Sequence, residues 1–89
     1  MVDMRHCFKR NGQILRKESK EGPVLIDPYR RTLIQLNPTA LEIWQLVDGT
    51  RSVMEIIEAM RDVFEADEEV LRKDIAGFLE DMMKREMIR

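Results

Sequence analysis

The 89-residue sequence contains one cysteine, Cys7, and one histidine, His6. A single cysteine excludes an internal disulfide, and one Cys with one His falls short of the four ligands of a structural zinc site. No apolar run approaches the ~20 residues needed to cross a bilayer. Residues 1–10 are polar and lack the apolar centre of a secretory signal, so the expected location is cytoplasmic, with no membrane partner. A basic excess is also missing. Lys and Arg total 15 against 17 Asp and Glu, giving a net charge of −2 and a pI near 5.4, whereas a module devoted to nucleic acid normally carries clustered positive charge. The four glycines stand apart at positions 12, 22, 49 and 77, which excludes a glycine-rich phosphate loop.

What is present describes a globular domain: 44% hydrophobic and 36% charged residues, too apolar for a disordered tail. A chain of this length builds one modest core without a deep catalytic cleft. The expected organisation is a flexible N-terminal segment over residues 1–12 and a single domain over residues 13–89.

The first part of that domain predicts three short strands, at residues 13–17, 23–27 and 32–36. The first has Ile14 and Leu15 as its apolar members, and the second is built around Val24, Leu25 and Ile26. Turns at Lys20-Glu21-Gly22-Pro23 and Asp27-Pro28-Tyr29-Arg30 separate the strands, and links this short favour antiparallel hairpins. In the third strand Ile34 and Leu36 share one face, and Leu33 and Gln35 the other.

The second part predicts three helices. Asn37 is placed to cap the first, with Pro38 at its first helical position. Ala40, Ile43, Trp44 and Val47 form its apolar stripe, with Leu41 beside it, and Gly49 suits the left-handed residue that closes it. Ser52-x-x-Glu55 is a capping box for the second helix, whose apolar face is Val53, Ile56, Ile57, Met60, Val63 and Phe64. Asp67 is placed to cap the third. Glu68 and Glu69 in its first turn, with Lys84 and Arg85 near its end, complement the helix dipole. Its stripe is Leu71, Ile75, Phe78, Leu79 and Met82. Met60 and Met82 read as core filling, Met83 and Met87 lie off that stripe, and Trp44 reads as a packed tryptophan.

Few residues offer chemistry. His6 and Cys7 are adjacent in a terminal segment with no rigid support, and a nucleophile needs a base held in orientation. The carboxylates of the third helix pair at i,i+4 spacing with cations, Glu69 with Lys73 and Glu80 with Lys84, as a solvated face does. Two features stand out. Gly77 lies mid-helix, where it costs ~1 kcal/mol against alanine; it fits either a close backbone contact inside the fold or one wall of a peptide groove. The third strand, Thr32-Leu33-Ile34-Gln35-Leu36, has no proline and no charge, which is weak protection for an edge. It fits either a covered strand or an edge that accepts an extended peptide.

The ordered set Leu36-Asn37-Pro38-Thr39-Ala40, Ile43-Trp44, Asp48-Gly49-Thr50-Arg51-Ser52-Val53 and Ile56-Ile57 resembles the PqqD-like proteins. Asp74-Ile75-x-x-Phe78-Leu79 and the ending Arg85-Glu86-Met87-Ile88 extend the resemblance from about residue 13 to the C-terminus. It implies an α+β winged-helix fold, three short antiparallel strands followed by three helices, that acts as a RiPP recognition element. Such a domain has no active site and no cofactor. It binds the leader of a ribosomally made precursor peptide as an added strand and presents it to a modifying enzyme, a radical S-adenosylmethionine enzyme or a leader protease. Transferred here, Thr32, Leu33, Ile34, Gln35 and Leu36 would supply backbone hydrogen bonds. Val70, Lys73, Asp74, Gly77 and Phe78 would form the opposite wall; that choice of side chains follows from the helical wheel. The protein would be a monomer or weak homodimer. A DNA-binding winged helix shares the element order, but its recognition helix would have to bring an acidic excess to phosphate. A protein–protein adaptor using the same open edge is the other alternative.

Overall fold

A computed structural model describes residues 2–89. Met1, the first residue of the expected flexible segment, lies outside the described residues. Three strands, β1 (Leu15–Ser19), β2 (Gly22–Asp27) and β3 (Thr32–Gln35), precede three helices, α1 (Pro38–Leu46), α2 (Val53–Val63) and α3 (Glu68–Lys84). The strands form one antiparallel sheet in the order β1-β2-β3, the α+β winged-helix arrangement expected. The first strand starts two residues later than the sequence pattern suggests, because Asn11 closes a turn: its side chain accepts from the Gln13 N–H and its carbonyl accepts from the Ile14 N–H.

The two hairpins are closed differently. Lys20 and Glu21 link β1 to β2, and the Ser19 hydroxyl donates to the Gly22 carbonyl at 2.6 Å. Between β2 and β3 the buried Asp27 carboxylate accepts from the N–H groups of Tyr29 and Arg30, an Asx turn that sets the connection. Arg31 completes the turn at φ 53°.

Each helix begins where its cap was expected. The Asn37 side chain accepts from the Ala40 N–H at 2.8 Å, the Ser52–Glu55 capping box is reciprocal, and Asp67 accepts from the Glu69 N–H. The end of α1 differs from expectation. The cap is Val47 rather than a glycine turn, and Gly49 sits two residues further on, at φ +86°, inside the turn that Asp48 organises toward α2. Of the expected apolar face of α2, Val63 is exposed and Phe64 is the C-cap. The Glu69–Lys73 pair does not form among the described ion pairs. Glu68 pairs with Arg61 and Arg72 instead, while Glu80 pairs with Lys84 as expected.

Leu25 of the sheet, Ile43, Trp44 and Val47 of α1, Ile56, Ile57 and Met60 of α2, and Leu71, Ile75, Leu79 and Met82 of α3 form one buried cluster. Each such side chain removed from water contributes roughly 1.5–3 kcal/mol. Met87 and Ile88 join it from the C-terminal segment, and Val2 and Phe8 from the N-terminal one. Residues 2–12, within the segment expected to be flexible, lie against the helical half. Lys9 and Arg89 exchange two backbone hydrogen bonds of 2.7 and 2.9 Å, Asn11 donates to the Met87 carbonyl, and the carbonyls of Met4, His6 and Phe8 accept from Met54, Val53 and Gly49. Arg10 lies 6.0 Å from the Trp44 ring centre. The sequence signal for this docking is a lone Phe8 among polar neighbours, with no period to read.

Two outcomes are expected. Phe8→Ala lowers unfolding free energy by about 3–5 kcal/mol, measured by urea denaturation; a loss below 1 kcal/mol would show that the segment is not part of the folded unit. Acid destabilises the fold. Burial pushes the Asp27 carboxyl up, but the N–H groups of Arg30 and Tyr29 and the Arg30 guanidinium outweigh it and hold it below 3.8. The Thr50 hydroxyl and N–H lower Asp48, and the Ser52 N–H and hydroxyl lower Glu55. A folded-state value below the unfolded one stabilises the protein at all pH above the unfolded value, and that contribution disappears as pH falls through the folded value. Thermal melts should therefore be flat near neutrality and fall below about pH 4; a flat profile down to pH 2 would contradict these interactions.

Candidate peptide-binding site

The sheet order leaves β1 and β3 as edges, and the two are not equivalent. β1 carries Arg16, Lys17 and Glu18 and is exposed throughout, the usual protection of an edge. β3 carries no charge.

The register decides which backbone groups of β3 are available. Leu36 donates to the Pro23 carbonyl at 2.9 Å, and Leu25 faces Ile34 and Asp27 faces Thr32. Backbone groups of alternate residues in an antiparallel strand point to opposite sides. Leu36, Ile34 and Thr32 therefore face β2, and the N–H and C=O groups of Leu33 and Gln35 face away from the sheet. The expectation that all five residues would offer backbone hydrogen bonds is narrowed to these two by the ladder itself. Their side chains follow the same alternation. Leu33 is 63% exposed and Gln35 exposed, while Ile34 packs against the core and Leu36 is buried. The Gln35 amide donates to the Glu21 carbonyl at 2.6 Å.

At Leu36 the chain leaves the sheet, and Asn37 and Pro38 start α1 at once. That corner carries the first turn of α1 to α3. Asn37, Thr39, Ala40 and Ile43 line a concavity of about 330 Å³ together with Asp74 and Phe78. Its floor is apolar, from Ala40, Ile43 and the half-buried Phe78, and its only charge is Asp74. Of the helix residues expected to form the wall, Asp74 and Phe78 are brought together here. Val70, 54% exposed, lies one turn before Asp74 on α3; Lys73 is exposed beside it. The contribution of α1 was missed, although a cap immediately after a strand requires the first helical turn to lie at that strand's end. A larger concavity, about 580 Å³, lies at the same corner toward the β1–β2 turn, lined by Glu21, Gly22, Pro23, Gln35, Leu36, Asn37, Pro38 and Leu41. It includes no residue of α3 and is not the groove beside that helix.

Gly77 is exposed, and a Cβ built on it meets nothing within 4 Å. A close backbone contact inside the fold therefore does not explain this glycine. His6 and Cys7 do not converge. The imidazole packs edge-on to Phe8 with ring centres 4.4 Å apart, and the Cys7 thiol is directed toward the Thr50 carbonyl at 4.0 Å. Among the described residues no three His, Cys, Asp or Glu side chains gather as metal ligands, and no helix is long and apolar enough to cross a membrane.

Residues 22–88 match the family model described as coenzyme PQQ synthesis protein D (PqqD). A PqqA binding protein of Rhodopseudomonas palustris (strain TIE-1) is 30% identical over 78 residues, covering 88% of this chain and 74% of that protein. A PqqA binding protein of Xanthomonas axonopodis pv. citri (strain 306) is 24% identical over 87 residues, covering 98% and 92%. Among solved structures, a lasso peptide synthetase B1 complexed with its leader peptide superposes with a TM-score of 0.80 at 23% identity, over 93% of this chain and 98% of that one. TbiB1 in complex with the TbiA(beta) leader peptide gives 0.78 at 20% identity, over 91% and 94%. At these identities the two structures establish the fold.

If nothing within the fold needs Gly77, Gly77→Ala should raise stability by about 1 kcal/mol. Urea denaturation checks this, and a destabilised variant would reveal a backbone contact at that position.

Proposed function

The chain belongs to the coenzyme PQQ synthesis protein D (PqqD) family, and on that premise we propose that it is a RiPP recognition element, a non-catalytic module that binds the leader of a ribosomally synthesised precursor peptide. The leader adds as a fourth strand beside β3 and is presented to a modifying enzyme, a radical S-adenosylmethionine enzyme or a leader protease, in the cytoplasm. The observation that carries this reading is the uncharged, outward-facing backbone of Leu33 and Gln35 on an edge that ends at the α1–α3 concavity. Main-chain pairing supplies affinity and side-chain pockets supply register. A leader held there tethers its core peptide at high local concentration near the enzyme without chemistry by the module. The names of the relatives, PqqA binding proteins, support a peptide as the ligand, and so do the leader peptides bound to the two proteins of the same fold. We assign Val70, Lys73, Asp74, Gly77 and Phe78 to the wall opposite β3, and Thr39, Ala40 and Ile43 to the floor. The domain that does this includes the docked N-terminal segment.

Amide shifts of isotope-labelled protein, titrated with synthetic leaders of precursors encoded beside its gene, test the proposal. Shifts concentrated on β3 and α3 with micromolar binding are expected. Leu33→Pro deletes an outward donor but no bond to β2, so it should weaken binding about tenfold or more while keeping a dispersed spectrum. Unchanged affinity in that variant, or shifts with duplex DNA in place of any leader, would overturn the reading.

A further inference from the structure

We propose that Asp74 is a specificity-determining residue, selecting peptides that carry a lysine or arginine two positions from an apolar residue. The proposal rests on the peptide-binding reading above and deepens it.

Most acids on α3 are occupied. Glu68 pairs with Arg61 at 3.2 Å and Arg72 at 3.9 Å, Glu80 with Lys84 at 3.8 Å, and Asp81 with Arg85 at 3.2 Å. Asp67 caps the helix. Asp74 has no ion pair among the described residues, and its sequence position makes that inevitable within the helix. The residues three and four away on either side are Leu71, Val70, Gly77 and Phe78, none of them a cation. Asp74 is exposed, but it borders a concavity that Ala40, Ile43 and Phe78 also line, and no basic side chain lines that space. Pairing a charge beside apolar walls gains more than pairing it in open water, and an acidic ligand residue would be repelled there.

The spacing follows from two repeats. Asp74 and Phe78 lie one turn apart, about 6 Å along a helix. Same-face side chains of an extended strand recur every two residues, about 6.6–6.8 Å. A strand added to β3 and running along α3 therefore sets one side chain beside Phe78, Ala40 and Ile43 and the next same-face side chain beside Asp74. The open space over Gly77, between them on the helix, lets the strand approach. Lys73 precedes Asp74 on α3 but does not line this concavity.

The test is selection from a phage-displayed library of random dodecapeptides on the full chain and on Asp74→Asn, Asp74→Lys and Leu33→Pro. Wild type should enrich peptides with an apolar residue and Lys or Arg at i and i+2. Asp74→Lys should exchange the basic residue for Asp or Glu at the same place, and Asp74→Asn should keep the apolar residue but lose the charge preference. A peptide chosen by wild type should bind Asp74→Asn about three- to tenfold more weakly. Identical enrichment by wild type and Asp74→Asn, with capture still abolished by Leu33→Pro, overturns the role of Asp74 and leaves peptide binding standing. No capture by wild type, or capture indifferent to Leu33→Pro, overturns both.

Discussion

Every second backbone group of β3 is bonded to β2, and the remainder point away from a three-stranded sheet too small to cover its own edge. A buried or exposed strand must satisfy those groups with something, whether water, another strand or a ligand. Proteins usually defend such an edge with charge, proline or a bulge. Here β1 is defended by charge and β3 is not. An undefended edge is a liability for aggregation and a ready place for an added strand, which is the physical basis for proposing β3 as the binding face.

The helices hold that edge in place and furnish the other side of the proposed groove. Leu25 of β2, wholly buried, anchors the sheet to a core that continues through all three helices. Because Asn37 caps α1 directly after Leu36, the floor of the concavity is fixed to the end of β3 by a covalent corner rather than by a loose loop. Polar turns reinforce the frame. Asp27 sets the β2–β3 turn and Asp48 the α1–α2 turn, each through backbone N–H groups that the chain would otherwise leave unpaired. Residues 8–11 and 87–89 brace one another: Lys9 and Asn11 bond with Arg89 and Met87, and Phe8 and Ile88 enter the core.

Local chemistry in the sequence determined the three helices, their caps at Asn37, Ser52 and Asp67, and the alternating faces of β3, because caps and periodicity depend on residues within a few positions of one another. The ordered motifs from Leu36 to Ile57 carried the family. Only the tertiary structure decided three things. It docked residues 2–11, whose bonding partners lie far along the chain at residues 49–54 and 87–89. It brought α1 into the site, joining Ala40 and Ile43 to Asp74 and Phe78. It also divided β3 into residues that face β2 and the two, Leu33 and Gln35, that face outward, since that division depends on the register with β2. Register and long-range docking are set by which surfaces meet, and no local pattern in one strand or one terminus encodes its partner.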